Sequence, residues 1–313
     1  MFVRAHIGRS ILAGFMAAAA TFTAAPAQAT APTKRDSVTV RVDQLILEPG
    51  DRGYRGSLAV VVKFQASQPT YFNLSLTEPV AGSFDGIQPP EACWWEGIDP
   101  AGRRIMGCAV PGGELAPNRP YRFTLDFEVL TTPQSYPMVA DDGVLTLQSG
   151  RDSTVSATAR FATLFRSTSG SLEQPQPYVP DTQSNISITA GEAPLTRQAD
   201  GTFSGRATVT VRYGGDAPHW ELSAWAELPA GIQFDGIDPP DACGGLYCPV
   251  PGGKFMEGEV RTFDLLLSAP ADTPVGPLGS GSVTVAVNWL IEITDVDPAD
   301  NTAAFALTAV EAS

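Results

Sequence analysis

Past residue 6 the chain holds one histidine, His219, and four cysteines, so any imidazole or thiol chemistry rests on five residues. A Ser-His-Asp hydrolase would have to use His219, in Ala217-Pro218-His219-Trp220, and no serine has the glycine frame of a nucleophile elbow. A strand-edge or loop histidine at the surface is the expected identity. The cysteines are even in number and fall as one pair in each half of the chain. In an exported protein that arrangement reads as two disulfides, Cys93–Cys108 and Cys243–Cys248, with no thiol left for a nucleophile or a metal. They close loops of fourteen and four residues. By loop-closure entropy they contribute about 3 and about 2 kcal/mol.

The 34 acidic residues always yield close carboxylate pairs, which without a cleft read as solubility charge. Asp295, Asp297 and Asp300 are the weak calcium candidates, since their oxygens fall at usable spacings. A solvated turn is preferred there, because Asp and Asn favour turn geometry and the twelve-residue calcium-loop pattern is missing. No metal, no cofactor and no enzyme activity are expected. The Cys93–Cys108 loop supplies the candidate binding residues, Trp94, Trp95, Arg103 and Arg104, of types enriched at binding hot spots. Two adjacent tryptophans on an extended segment cannot both face inward. A basic pair in a closed loop also allows a secreted protease inhibitor, constraint cutting the cost of ordering. Trp220, Trp225 and Trp289 lie on expected strands, where core packing is preferred to a sugar platform. Clustered exposed tryptophans would instead mark a carbohydrate-binding protein.

A duplication positions these residues. Phe84-Asp85-Gly86-Ile87-Gln88-Pro89-Pro90-Glu91-Ala92-Cys93 returns 150 residues later as Phe234-Asp235-Gly236-Ile237-Asp238-Pro239-Pro240-Asp241-Ala242-Cys243. Val110-Pro111-Gly112-Gly113 matches Val250-Pro251-Gly252-Gly253, and Gly56 to Phe64 reads like Gly205 to Tyr213. After the first shared cysteine, repeat one runs Trp94 to Gly107 where repeat two has only Gly244-Gly245-Leu246-Tyr247. Apolar and polar residues alternate in Ser37-Val38-Thr39-Val40-Arg41-Val42, Tyr121 to Phe127 and Ala207 to Tyr213. That period of two, punctuated by Gly and Pro, predicts an all-β chain of two tandem immunoglobulin-like antiparallel β-sandwiches, each of about seven strands.

The predicted organisation is a signal peptide over 1–29, repeat one over 30–166, a Pro/Ser/Gln-rich linker over 167–180 and repeat two over 181–313. The linker composition cannot bury a core and favours an extended spacer. Residues 181–313 are expected to fold alone.

Repeat two carries Leu228-Pro229-Ala230-Gly231, then Cys243 and Cys248, Gly258, Thr262-Phe263-Asp264-Leu265 and Asp297-Pro298-Ala299-Asp300-Asn301-Thr302-Ala303. In this order it resembles the bacterial extracellular repeat domain called DUF11, and more loosely the CARDB-type adhesion modules. Repeat one departs from the pattern with Glu78-Pro79-Val80-Ala81-Gly82 in place of the "LPxG" turn. The resemblance implies an Ig-like scaffold at the bacterial exterior without catalytic residues.

Arg4 and Arg9 precede an Ala-rich apolar stretch that ends in Ala27-Gln28-Ala29, the pattern of a secretory signal cleaved before Thr30. Cleavage removes two of the 20 basic residues and leaves 18 against 34 acidic, a mature charge of −16. Such a charge repels a phosphate backbone and argues against nucleic acid. No later stretch suits a bilayer span, Ser282 to Ile293 being broken by Thr284, Asn288 and Glu292. Nor does Leu307 to Ser313 form a wall anchor. The expectation is a secreted, non-catalytic module that meets an unknown protein or cell-surface polymer through loops.

Overall fold

The alternation fixes which face of each strand is buried. In the computed structural model, which describes residues 36–287 and 293–312, the strand Gly53–Gln65 buries Leu58, Val60, Val62 and Phe64 and turns Ser57, Ala59 and Lys63 outward. The signal peptide, its Thr30 start and Trp289 lie outside the described residues.

Repeat one contains β1 (Ser37–Val42), β2 (Leu45–Gly50), β3 (Gly53–Gln65), β4 (Phe72–Thr77), β5 (Phe84–Gln88), β6 (Cys93–Ile98), β7 (Arg104–Ala109), β8 (Pro120–Val129), β9 (Met138–Ser149) and β10 (Ser156–Phe165). The segment after it adds β11 (Gln176–Pro177). Repeat two contains β12 (Ile186–Ala190), β13 (Ala193–Arg197), β14 (Phe203–Tyr213), β15 (Leu222–Glu227), β16 (Gln233–Asp238), β17 (Tyr247–Pro249), β18 (Val260–Ala269), β19 (Gly276–Val287) and β20 (Thr302–Val310).

Each repeat is a two-layer sandwich of mainly antiparallel strands. In repeat one, β1-β3-β8-β5 form one layer and β2-β10-β9-β4-β7-β6 the other. Repeat two has the same order, β12-β14-β18-β16 against β13-β20-β19-β15-β17. The first strand breaks in two, which adds one strand to each repeat beyond the expected count. β2 leaves its hairpin with β3 to run parallel to β10, and β13 does the same between β14 and β20. The crossing explains a duplicated glycine: a Cβ on Gly56 would lie 2.2 Å from the Ile46 carbonyl oxygen, and one on Gly205 2.1 Å from that of Pro194. Repeat one gains β6 from its inserted segment. The Pro-Gly-Gly turns have positive φ at both glycines, +98° and +66° at Gly112 and Gly113 and +95° and +70° at Gly252 and Gly253, where a side chain would be strained.

Each sandwich has its own core. Val60 faces Phe123 and Leu58 faces Leu125 across β3 and β8, as Val209 faces Phe263 and Ala207 faces Leu265 across β14 and β18. The Pro/Ser/Gln-rich segment is laid on the protein instead of standing free. β11 pairs with β9, Ser167 is buried, and the Tyr178 ring packs 4.8 Å from that of Phe165.

A seam joins the repeats. Trp220 packs on the core of repeat one, Glu257 accepts the Thr132 amide at 2.8 Å, and Lys254 Nζ donates to the Gly82 carbonyl at 3.2 Å. Arg52 reaches Glu259 at 3.0 Å, and the Tyr178 hydroxyl donates to Asp216 at 2.9 Å. These contacts link loops, so the alternation that reveals strands gives no sign of them.

Candidate functional site

The segment that repeat one has and repeat two lacks folds as a β-hairpin at the sheet edge. β6 and β7 pair with Cys93 opposite Cys108, Trp94 opposite Gly107 and Trp95 opposite Met106, and a bulge follows at Glu96. Cys93 and Cys108 are bonded across the strands with Cα atoms 4.1 Å apart. The second disulfide, Cys243–Cys248, closes the short loop before β17 ends. The hairpin tip is held by Asp99, whose carboxylate accepts from the Ala101 and Arg103 amides at 2.9 and 2.8 Å and from Arg103 Nε at 2.9 Å. Burial works to raise the Asp99 pKa, but these hydrogen bonds and the Arg103 charge outweigh it and hold the carboxyl below its ordinary value. Arg103 Nη1 also donates to the Asp142 carbonyl at 3.0 Å, which ties the tip to β9.

The two arginines therefore do not form a presented basic pair. Arg104 is 1% exposed and Glu78, its partner, is fully buried. The pair is bidentate, with Nε to Oε2 at 2.9 Å and Nη2 to Oε1 at 2.6 Å, and Glu78 also accepts the Gly82 and Phe84 amides. The Trp220 ring lies 4.5 Å beneath the guanidinium. This corrects the expectation that Arg104 contacts a partner, and with it the substrate-mimic reading of Arg103-Arg104: a bond to be read by a protease would have to leave a buried ion pair first. Glu78 stands where repeat two has Leu228, so the departure from the "LPxG" turn and the arginine brought in by the hairpin compensate each other.

Trp94, Trp95 and Ile98 remain accessible, at 41%, 44% and 44% exposure. Strand alternation puts Trp95 on the Met106 face and Trp94 on the opposite, outer face. Trp94 folds over Gly107, where an added Cβ would meet Nε1 at 2.3 Å, and beside it Glu96 Oε2 accepts from Ser75 Oγ at 2.7 Å. The hairpin tip also walls a cavity of about 670 Å³, lined largely by apolar side chains, between Ile98 and Ala101 on one side and Val139, Tyr178, Val179 and Pro218 on the others. No sequence pattern announced this cavity, since its walls come from six separate segments.

His219 is not at the surface. It is 6% exposed, its ring packs 4.5 Å from that of Tyr213, and Nε2 donates to the Phe255 carbonyl at 3.1 Å. Burial lowers its pKa to about 4, so it is neutral at pH 7. Its Nε2 is thus engaged by a backbone carbonyl and not by a serine hydroxyl. Of the other tryptophans, Trp220 is packed into the seam and Trp225 is 41% exposed. The acidic trio builds a turn: Asp295 accepts from Ser184 Oγ and the Ile186 amide at 2.7 and 3.0 Å, and Asp297 caps the 3-10 turn Pro298–Asn301. Burial raises the Asp300 pKa, with help from the charges of Asp297 and Asp295. Among the described residues no three His, Cys, Asp or Glu side chains are grouped to hold a metal ion.

No model of a known protein family matches the chain, and no curated protein matches it. Solved structures similar to it include the CupB6 tip adhesin of Pseudomonas aeruginosa, at 10% identity over 89% of this chain and 99% of that one, with a TM-score of 0.29. The partial N-terminal region of the enterococcal surface protein is similar at 10% identity over 89% and 96%, with a TM-score of 0.26. A macrocyclisation catalyst, AvmM, is similar at 12% identity over 41% and 89%, also with a TM-score of 0.26. Likeness at this level, shared by adhesins and an enzyme alike, carries no functional argument.

Proposed function

We propose that the chain is a secreted, non-catalytic binding module of the bacterial exterior, of the DUF11-like kind, which meets its target through the β6–β7 hairpin of repeat one. The observation that carries this reading is the hairpin itself. It is added to a scaffold that repeat two completes without it, is pinned by a disulfide and a buried ion pair, and turns Trp94, Trp95 and Ile98 to solvent. Holding aromatic anchors on a rigid edge lowers the ordering cost of binding.

The test is capture of the full chain on intact bacterial cells, compared with the double variant Trp94→Ala/Trp95→Ala. Capture should fall at least about tenfold, a loss near 1.4 kcal/mol, while the melting temperature holds, because both rings sit outside the core. Undiminished capture by the variant would remove the hairpin from the recognition surface.

A further inference from the structure

Repeat two lacks the hairpin, yet it does not lack the exposed indole. The disulfide cysteines align the two sheets: Leu74 pairs with Cys108 as Ala224 pairs with Cys248. One step along lies the outward pair Ser75 and Gly107 in repeat one, and Trp225 and Tyr247 in repeat two. Trp94 covers Gly107, so each sandwich carries a tryptophan, each 41% exposed, at the same point of the same outer face. One reaches it by folding back from β6; the other grows from β15 itself.

The neighbours also correspond. Ser75 pairs with Thr146 on β9, and Thr146 with Thr158 on β10, their hydroxyls 3.1 Å apart. Trp225 pairs with Thr284 on β19, and Thr284 with Thr302 on β20, their hydroxyls 2.8 Å apart. Each indole therefore heads a row of hydroxyls across the sheet. In repeat one the adjacent row is Asn73, Gln148 and Ser156, amides and a hydroxyl again. A protein hot spot gathers several apolar side chains into a packed patch. Here each indole stands beside a row of hydroxyls, with the Glu96 carboxylate next to Trp94 and the Tyr247 ring edge-on to Trp225 at 5.9 Å, which suits the apolar C–H face of a pyranose ring on the indole with its hydroxyls hydrogen-bonded alongside. The net charge of −14 disfavours an anionic polymer.

We infer that each repeat binds a neutral polysaccharide on this face, with Trp94 and Trp225 as the two stacking platforms. The inference rests on the binding-module reading and names its ligand. Two equivalent sites on one chain let a polymer engage both, which raises avidity without new contacts.

The experiment is co-sedimentation of the full chain with insoluble cellulose, β-1,3-glucan and chitin, alongside Trp94→Ala, Trp225→Ala, the double variant and Gly107→Val. The last keeps Trp94 but denies its ring the place above the sheet. At least one polysaccharide should retain the chain, each single variant should weaken retention about tenfold, and the double should abolish it with an unchanged melt. Gly107→Val should behave like Trp94→Ala. Absence of retention on all three polymers, or retention indifferent to both tryptophans, overturns the inference. Cell capture that survives periodate but not protease treatment of the cells would also overturn it, by making the target a protein, and would leave the binding-module reading standing.

Discussion

Replacing Arg104 by methionine is expected to lower the stability of the protein by about 3–5 kcal/mol, because it strands the Glu78 carboxylate in the core. For a chain of this size that corresponds to a fall of roughly 10 °C in melting temperature. The two partners are 1% and 0% exposed and share two hydrogen bonds, so neither can recover its solvation when the other is removed. Adding Glu78→Leu to Arg104→Met should restore most of the loss, since a hydrophobic pair can replace a buried ion pair at little cost and leucine is what repeat two carries at this place as Leu228. A double-mutant cycle by thermal melting measures the coupling. A single variant that melts like the parent, or a double variant whose losses simply add, would refute the compensation between the hairpin and the altered turn.

The second large effect is a dependence of stability on pH through His219. Its folded pKa is lowered to about 4 by burial, against an ordinary value of 6.5. The unfolded chain therefore takes up the proton first. The stabilisation is complete above about pH 6.5 and drains away as pH falls toward 4, by up to about 3 kcal/mol. Glu259 acts at a lower pH. Burial would raise it, but hydrogen bonds from Arg261, the Met256 amide and Arg52 bring it to about 2, so its contribution is lost only below the ordinary 4.5. Denaturant midpoints between pH 7 and 4.5 should fall in the parent and stay nearly flat in His219→Phe. Parallel slopes for the two proteins would mean that His219 is not the titrating group.

What could be read from the sequence follows the range of the signal. Alternation is local, so Ala207 to Tyr213 showed its buried face directly, and Gly112-Gly113 and Gly252-Gly253 marked turns because only glycine suits their backbone. The duplication located the inserted hairpin. Arg104 was misread because its partner is 26 residues away and charge is ordinarily a sign of exposure. His219 was misread on the same ground: nothing near it in the chain reveals that Tyr213 and Phe255 enclose it. The matching positions of Trp94 and Trp225 were hidden for a different reason. They come from different strands, so no alignment of the repeats pairs them, and only the register of β4 against β7 and of β15 against β17 does.

The most direct test of the account is to give repeat one the loop of repeat two. In this chimera Trp94 to Gly107 are replaced by Gly-Gly-Leu-Tyr and Glu78 by leucine, which leaves no unpaired charge and keeps Cys93 and Cys108 as a short disulfide loop like Cys243–Cys248. The account predicts a cooperatively melting protein whose capture on intact cells drops at least about tenfold. A chimera that melts cooperatively and is captured as well as the parent would contradict it, because the hairpin would then be scaffold and nothing more.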